Sequence, residues 1–396
     1  MQVSNHELQH STRILAMKNA FTPASQLAIL LTLVISHPIA AQTDEHKWRY
    51  KPELLQPFWA NEVVEGESVL FIKDETTGQA SAKVLFPIRE VIQVHNSAGD
   101  VAYESGKDYQ IGADRREIIL PAGSRIASYT TADLRRPAKS QPYELTHRDG
   151  NGEIMFGAKL EYAAMQTCIS YRHAAGDWKK PMAKFDPKTF PLSARRLTKR
   201  EPLSMVTLGD SISAGANASG GYDMAPYQPA YPELVRLGLA KHFGCEVTMK
   251  NLSVGGKDTA WGLTQVDAVV AEKPQLVILA FGMNDSAGRS AADYKSLTQQ
   301  TIEAIRKQIP DCEFILVASM LGNRDWIRLK HEVFPEYRDA LESLCGPGIG
   351  LADLTTIWSG FLELKHDWDQ TGNGVNHPND FGHRVYAQTI LALLRP

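Results

Sequence analysis

Ser211 is the first residue of this sequence whose surroundings suit nucleophilic chemistry. The apolar run from Met205 to Leu208 predicts a buried strand, and it ends in Gly209-Asp210-Ser211, a tight strand-to-helix turn. A hydroxyl at such a turn lies at the carboxyl end of the sheet, where open α/β folds bind ligands. The first amides of the following helix carry partial positive charge and can face an oxyanion. Ser211 is therefore a candidate nucleophile, with a helix N-cap at Asp210 or Ser211 as the structural alternative.

Two further polar blocks follow predicted strands later in the chain. The stretch from Asn251 to Thr259 contains Gly255 and Gly256, and a glycine pair at a strand end lets backbone amides approach a ligand closely. Asn284, in Gly-Met-Asn-Asp, can aim its side-chain NH₂ at the mouth of the sheet as another oxyanion donor. A plain turn is the alternative for the glycines, and an Asx turn or helix N-cap is the alternative for Asn284.

His377 supplies the general base that acyl transfer needs. It lies in a loop, 372–380, just before the last predicted helix, and Pro378 fixes an extended backbone at the histidine. A neutral imidazole suits a general base for a serine hydroxyl. A structural or merely exposed role is the alternative for any one of the twelve histidines.

The elements that must position these groups alternate between strand and helix from residue 205 onwards. Near-continuous apolar strands, such as Leu276 to Phe281, imply a sheet that is covered on both faces. The pattern predicts an α/β fold with a doubly wound, parallel, five-stranded sheet. The predicted strands are 205–208, 246–252, 276–281, 313–319 and 348–353, and the predicted helices are 231–243, 291–308, 331–345 and 382–394.

The ordered blocks Gly-Asp-Ser, Asn-x4-Gly, Gly-x-Asn-Asp and His-Pro before a terminal helix resemble the SGNH (GDSL-type) hydrolase family, over roughly residues 203–396. The resemblance implies that Ser211 is the nucleophile and His377 the base. It also implies an oxyanion hole made by the backbone amides of Ser211 and Gly256 with the side chain of Asn284. The expected reaction is two-step acyl transfer, which requires no metal or organic cofactor.

One position departs from the family pattern. The family usually carries an aspartate three residues before the catalytic histidine, and here that residue is Gly374. The remaining possibilities are a Ser–His dyad, or a third member that is an amide, a backbone carbonyl or a carboxylate from elsewhere. Asp367, Asp369 and Asn373 are the candidates, although the loop 366–369 can equally bind a cation or nothing. Asp380 is better explained as the N-cap of the last helix.

Residues 48–182 carry a different pattern of short, turn-punctuated strands. Several strands at this spacing predict a β-sandwich or jelly-roll domain. The domain is either a carbohydrate-contacting module or a scaffold packed on the enzyme, and we favour a scaffold or substrate rim. Residues 183–203 are expected to form an extended connector with a solvated basic patch, and 204–396 the hydrolase domain. The candidate strands are 68–72, 82–85, 91–94, 101–103 and 117–120.

The composition and the N-terminal sequence limit which classes of protein this chain can belong to. A net charge of −3 without a long basic run gives no indication of nucleic-acid binding. Residues 1–41 are expected to be an extension and signal peptide, with Met17 as the true start, an apolar run at 27–35 and a mature chain beginning near Gln42. An uncleaved anchor is the alternative; otherwise the mature chain is expected not to insert stably into membranes. The four cysteines, at 168, 245, 312 and 345, show no metal or disulfide framework; buried free thiols are expected, with one unassigned disulfide as the alternative.

These observations predict an exported carbohydrate O-acetylesterase that acts on an acetylated carbohydrate or polysaccharide. A β-domain ahead of an SGNH domain resembles bacterial carbohydrate acetylesterases, which is a fold-level analogy. Tyr227, Gln228 and Trp261 are expected at a sugar-binding rim, together with Tyr222 and Tyr231. Ordinary packing is the alternative, above all for Tyr231 and Trp261. A lipase, lysophospholipase or thioesterase of the same family, and a non-catalytic glycan-binding protein on a hydrolase scaffold, stay open, as does the oligomeric state.

Overall fold

The N-terminal part of the described chain is built from short antiparallel strands, as predicted. The computed structural model describes residues 48–182 and 184–396. Strands β1, β9 and β4 form one sheet, strands β2, β3, β6 and β5 a second, and β7 pairs with β8; the bounds follow. They are β1 Val63–Val69, β2 Ile72–Lys73, β3 Ala80–Lys83, β4 Glu90–Asn96, β5 Gln110–Ile111, β6 Glu117–Ile119, β7 Arg135–Arg136, β8 Glu153–Ile154 and β9 Thr167–Arg172. Turns of 3-10 helix lie at Pro52–Leu55, Thr131–Leu134 and Ala163–Met165.

The C-terminal part contains the predicted five-stranded parallel sheet, in the spatial order β11-β10-β12-β13-β14. Each strand lies within two residues of its predicted bounds. The strands are β10 Leu203–Gly209, β11 Val247–Asn251, β12 Leu276–Ala280, β13 Glu313–Ala318 and β14 Ile349–Asp353. The helices are α1 Pro191–Thr198, α2 Ser211–Ala214, α3 Tyr231–Phe243, α4 Thr259–Leu263, α5 Val266–Ala271, α6 Ala291–Gln308, α7 Val333–Glu342, α8 Leu354–Leu362, α9 Asp367–Gln370 and α10 Asp380–Leu394, with 3-10 turns at Ser219–Tyr222 and Asp285–Ala287.

Both faces of the parallel sheet are covered, which explains why its strands are apolar at successive positions. In β12, Leu276 and Ile278 pack into one hydrophobic cluster, and Val277 and Leu279 pack into another on the opposite face. Side chains of a strand alternate between faces, so both sets must be apolar when helices cover both sides. The strand order places the polar loops after β10 and β12 on either side of the topological switch point, where open sheets bind ligands.

The N-terminal sheets share a hydrophobic core with the helices of the C-terminal part. Leu55 and Phe58 are buried in the same cluster as Leu391 and Phe361, and the rings of Phe58 and Phe361 lie 5.5 Å apart. A buried ion pair joins the same two parts: Lys365 Nζ lies 2.5 Å from Glu67 Oε1. The N-terminal strands are therefore packed on the C-terminal part.

Three local predictions differ from the structure. Residues 183–203 are not wholly extended, because Pro191–Thr198 form a helix that buries Ala194 and Leu197 and whose first amides donate to the Glu313 carboxylate at 2.9 and 2.7 Å. Residues 101–103 make only an isolated bridge between Ala102 and His95. The last helix begins at Asp380, and its N-cap is Asn379, whose side chain accepts from the Gly382 amide at 3.0 Å.

Other predictions concern the termini and the thiols. The predicted signal at 17–41 lies outside the described residues. Within 48–182 and 184–396, none of the helices has both the length and the apolar character needed to cross a bilayer. All four cysteines are free thiols, and Cys312 is buried as expected, whereas Cys345 is exposed.

Candidate active site

Ser211 lies at the carboxyl end of β10, as the first residue of the short helix α2. Gly209 must lack a side chain, because a Cβ there would overlap the carbonyl oxygen of Ala280 and lie 2.5 Å from Ser213 Oγ. Asp210 caps α2, since its carboxylate accepts from the Ile212 amide at 2.9 Å. The turn therefore leaves the partly exposed Ser211 hydroxyl outside the cap.

His377 reaches Ser211 from the loop that precedes α10. The distance from Ser211 Oγ to His377 Nε2 is 2.9 Å. Asn373 shapes that loop, because its side-chain oxygen accepts from the amides of Val375, Asn376 and His377 at 2.8, 2.9 and 3.2 Å. The structure thus brings together the predicted nucleophile and the predicted base.

The other ring nitrogen of His377 faces an amide that the sequence did not single out. His377 Nδ1 lies 2.8 Å from Oδ1 of Asn217, a buried residue in the left-handed backbone region (φ 61°). Asn217 Nδ2 donates to the backbone carbonyls of Lys159, Gly157 and Gly372, the last two at 3.4 Å. Because three acceptors surround that nitrogen, the oxygen of the amide must face the ring. Nδ1 then carries the hydrogen, and Nε2 presents its lone pair to Ser211.

The environment keeps the imidazole neutral. The pKa of His377 is lowered to about 4, mainly by burial and to a smaller extent by repulsion from the neighbouring His383. Burial likewise raises the pKa of Asp210, beneath Ser211, to about 7. A neutral histidine with a free electron pair at Nε2 is the form that can accept a proton from serine.

The three residues predicted for the third position do not contact the ring. Asp367 pairs with Arg324 at 2.8 Å, and Asp369 is buried and accepts from the Leu70 amide at 2.7 Å. Asn373 faces the loop amides instead of Nδ1. Each of these side chains is already engaged elsewhere, so those candidates were wrong, and the observed partner is Asn217. An amide in this position was foreseen, but its residue was not.

The predicted oxyanion elements lie in loops that contact Ser211 and each other. A Cβ placed on Gly255 would lie 3.7 Å from Cβ of Ser211, so this loop packs against the serine. Gly256 follows with φ 73°, a conformation that favours glycine. The Asn284 side chain donates to the carbonyl of Lys257 at 2.8 Å, which uses one of its two N–H bonds and ties the two loops together. The roles of Ser211 N, Gly256 N and Asn284 in binding an oxyanion stay predictions.

A charged network around the buried Asp285 joins the loop that contains Asn284 to the glycine-containing loop. Asp285 accepts from the Thr259 hydroxyl at 2.5 Å and from Arg289 Nε at 2.5 Å. Arg289 also pairs with Asp258 at 2.6 Å, and Asp258 caps α4. The aspartate of Gly-x-Asn-Asp, Asp285, thus anchors the glycine-containing loop, and no catalytic role is needed to explain it.

The residues expected at a sugar-binding rim divide into two groups. Gln228 is buried, accepts from Arg384 at 2.7 Å and donates to the Asp380 carbonyl at 2.8 Å, so it is a packing residue and the rim prediction is wrong for it. Tyr231 is buried as well, and its hydroxyl bonds Ser213. Tyr227 and Trp261 are partly exposed, and their contact with substrate stays a prediction.

A cavity of about 410 Å³ lies between the first N-terminal sheet and α10. Asn217 is among its lining residues, and Ser211 and His377 are not. Its polar side chains largely bond one another, as when Asn379 donates to Ser68 at 2.7 Å and to Gln166 at 2.8 Å. The cavity therefore lies behind the Asn217 side of the site and belongs to the packing between the two parts of the chain.

Comparison with known proteins agrees with this architecture. The model of the GDSL-like lipase/acylhydrolase family matches residues 207–385, which run from β10 into α10. Over these residues the chain is similar to the GDSL-like lipase/acylhydrolase family. No curated protein matches the chain significantly. The N-terminal sheets and α1 lie outside the matched segment.

Several solved structures of this class are similar to the chain. A two-domain esterase (CEX) active on acetylated mannans has 18% sequence identity and a TM-score of 0.41, and the match covers 52% of each chain. The lipase Lip_vut3 from a goat rumen metagenome has 16% identity and a TM-score of 0.40, covering 48% of this chain and 96% of its own. A lipase/acylhydrolase from Enterococcus faecalis has 21% identity and a TM-score of 0.38, covering 48% and 93%. The match spans about half the length of the mannan esterase.

Proposed function

We propose that this chain is a serine esterase that removes O-acetyl groups from a carbohydrate, with Ser211 as nucleophile and His377 as base. The observation that carries the proposal is the 2.9 Å contact between Ser211 Oγ and His377 Nε2 at the carboxyl end of the parallel sheet. That separation is hydrogen-bonding distance for direct proton transfer.

The proposed reaction has two acyl-transfer steps. His377 Nε2 takes the proton of Ser211 as Oγ bonds to the ester carbon, and the carbonyl oxygen becomes an oxyanion facing the amides of Ser211 and Gly256 and the Asn284 side chain. The bond from carbon to the sugar oxygen breaks, and His377 returns the proton to that oxygen. Water then attacks the acyl-enzyme by the same route and releases acetate.

The side chains near the site support a small acyl group on a sugar. Tyr222 and Tyr227 follow α2, and Trp261 follows the glycine loop; all three are partly exposed. Aromatic faces of this kind suit stacking on sugar rings. A long acyl chain needs a continuous apolar surface, whereas the large apolar side chains exposed in these segments are single residues, Met224 and Val254.

The deciding experiment measures acetate release from acetylated xylan and acetylated mannan by the wild type and by Ser211→Ala. We expect the variant to lose activity by roughly 10⁴-fold or more, because the attacking oxygen is removed. Ser213→Ala is the matched control, since it deletes a neighbouring buried hydroxyl that bonds only Tyr231 among the described side chains. Equal rates for wild type and Ser211→Ala would refute the nucleophile.

The same assays separate the other two functions. A preference for long-chain 4-nitrophenyl esters over 4-nitrophenyl acetate would indicate a lipase or thioesterase. Retained glycan binding with no turnover of any ester would indicate a binding protein on a hydrolase scaffold. Either result would overturn the acetylesterase proposal.

We also propose that the protein is exported through its N-terminal segment. The support is the apolar run 27–35 with small residues at Ala40 and Ala41. Mass spectrometry of the protein from a periplasmic or culture fraction should show a chain that begins near Gln42. An intact N-terminus in the cytoplasmic fraction would contradict this.

A further inference from the structure

We propose that Asn217 is the positioning residue of this site, and that the N-terminal region holds it in place. Its side-chain oxygen keeps His377 in the tautomer that can accept the Ser211 proton. The backbone carbonyls of Gly157 and Lys159, which precede β9, fix the orientation of the amide. This inference rests on the proposed function of Ser211 and His377.

The first argument concerns the direction of the amide. Asn217 Nδ2 contacts the carbonyls of Lys159, Gly157 and Gly372, so a flipped side chain would face these oxygens with its own oxygen. The flip would cost the buried hydrogen bonds and leave carbonyl oxygens in repulsive contact. The orientation that presents Oδ1 to His377 Nδ1, at 2.8 Å, is therefore strongly favoured.

The second argument explains why a carboxylate is missing from its usual place. Gly374, where related hydrolases carry the aspartate, has φ 85°, and a Cβ there would overlap the carbonyl oxygen of Met155 and lie 2.9 Å from the Tyr162 ring. Met155 and Tyr162 flank the segment that also supplies the two carbonyls to Asn217. The N-terminal region thus fills the space of the usual aspartate and at the same time fixes its replacement.

The third argument concerns charge. An amide orients the imidazole as a carboxylate does, but it cannot stabilise the imidazolium by charge. His383 in α10 is the titratable group that acts on His377, and burial lowers the pKa of His383 to about 4. Other ionisable groups on the packed elements include Asp210, which accepts from the Ile212 amide, and Asp380, which accepts from the Ser219 amide. The Tyr222 hydroxyl accepts from the Asn217 backbone amide at 3.4 Å, and the side chains of Lys159 and Glu161 are exposed. A carboxylate introduced at 217 would therefore be the nearest negative charge to the ring.

The test uses two substitutions at one position and follows kcat, KM and the pH profile. Asn217→Ala should lower kcat by about 10²–10⁴-fold with a much smaller change in KM, because the ring loses its orientation. Asn217→Asp keeps an oxygen facing Nδ1, but its second carboxylate oxygen meets the carbonyls of Lys159, Gly157 and Gly372, so its kcat should lie between those of Asn217→Ala and wild type. Its negative charge should also move the acidic limb of kcat/KM to higher pH. Unchanged kcat and an unmoved limb in both variants would overturn the proposal.

A spectroscopic measurement covers the case in which a variant folds poorly. In ¹⁵N-histidine-labelled wild type at pH 7, the ring shifts of His377 should report the tautomer with hydrogen on Nδ1. In Asn217→Ala the signal should move toward a mixture of tautomers. Asn379→Ala is the control for stability, because it also removes a buried asparagine with several hydrogen bonds. Asn379→Ala should lower Tm without changing the His377 tautomer. If the neutral His377 ring of the wild type carries its hydrogen on Nε2, the proposal is refuted.

The role of the N-terminal segment is tested at Gly157. A Cβ there would lie 2.7 Å from the Tyr162 amide nitrogen, so Gly157→Ala must displace the segment that holds Asn217. We expect a fall in kcat in the same direction as Asn217→Ala but smaller. Gly346→Ala is the control, since nothing lies within 4 Å of its Cβ position. Wild-type kinetics for Gly157→Ala would remove the N-terminal region from the proposal.

The two proposals fail in different ways. Full activity of Ser211→Ala would end the proposed function whatever Asn217 does. An inactive Ser211→Ala together with a normal Asn217→Ala would leave the esterase in place and refute only the positioning role.

Discussion

The parallel sheet and the N-terminal strands contribute different atoms to the same site. The C-terminal part supplies reactive side chains, among them Ser211 and His377, and glycine turns. These groups lie in the loops that follow β10 and β11 and in the loop before α10. The N-terminal region supplies backbone carbonyls, from Gly157 and Lys159, and buried packing. The first contribution depends on residue type, and the second depends on where the chain passes. Substitutions should therefore act on chemistry in the sheet and on position or stability in the N-terminal region.

The largest effect is expected at the buried ion pair that joins the two parts. Lys365→Met should lower the free energy of unfolding by about 3–5 kcal/mol, because it leaves the Glu67 carboxylate buried without its cation. Urea denaturation measures the loss. Lys180→Met is the matched control: Lys180 also pairs across the two parts, with Glu363 at 2.5 Å, but this pair is exposed and should be worth less than about 1 kcal/mol. Equal losses would mean that the two parts are not coupled through the buried pair.

A slightly smaller effect, on rate instead of stability, is expected at Asn284. Asn284→Ala should lower kcat by roughly 10²–10³-fold if its second N–H faces the oxyanion. Thermal denaturation should change little, because the only side-chain bond lost is the one to the Lys257 carbonyl. A loss of Tm with unchanged kcat would assign Asn284 to loop packing and weaken the contrast between the two regions.

The next effect is a loss of stability on substituting Gly374. It should show how much of that loss comes from backbone strain and how much from contact with the N-terminal region. Gly374→Ala should cost about 1–3 kcal/mol in strain alone, and more because its Cβ meets the Met155 carbonyl. Gly123→Ala carries a similar φ, 82° against 85°, with nothing within 4 Å of its Cβ position. The Tm of Gly374→Ala should fall further than that of Gly123→Ala. Similar values would show that the N-terminal contact at Gly374 is loose.

The smallest change is expected when wild type is moved from neutral to mildly acidic pH. With a pKa of about 4, His377 stays mostly neutral at pH 5, whereas a histidine with the ordinary value of 6.5 would be almost fully protonated. The acidic limb of kcat/KM should therefore lie near pH 4. Because the folded pKa is below the unfolded one, folding stability should be full above pH 6.5 and fall as pH drops toward 4. An acidic limb near pH 6.5 would mean that the ring is solvated in the free enzyme.

The predicted helices at 231–243 and 291–308 coincide with α3 and α6, because each has a strong local signal at its ends. Pro232 lies in the first turn of α3, Gly244 ends it in the left-handed region, and Ser290 caps α6. Helix α1 escaped prediction, since its N-terminal amides are satisfied by Glu313, more than a hundred residues away in sequence. The short N-terminal strands were found less accurately, as at 101–103, because pairing partners decide them more than local pattern does.

The site shows the same division. Ser211, Gly256, Asn284 and His377 lie in ordered motifs at strand ends, where a local pattern marks them. Asn217 lies only six residues after Ser211 and has one weak signal, an asparagine among small residues where a left-handed turn is easily formed. Nothing local distinguishes it from the candidates Asp367, Asp369 and Asn373. Its partner is 160 residues away, and its carbonyl acceptors come from the same loop as that partner, at Gly372, and from one further segment, at Gly157 and Lys159.

The sequence by itself determined the alternation of strands and helices and the loops in which the reactive side chains lie, because hydrophobic periodicity and turn chemistry act over a few residues. Only the tertiary structure decided which amide faces His377 and why Gly374 has no side chain. Both depend on the path of residues 155–162 across the site. That path is fixed by a hydrophobic core shared between distant parts of the chain. A local sequence pattern does not specify contacts between residues so far apart.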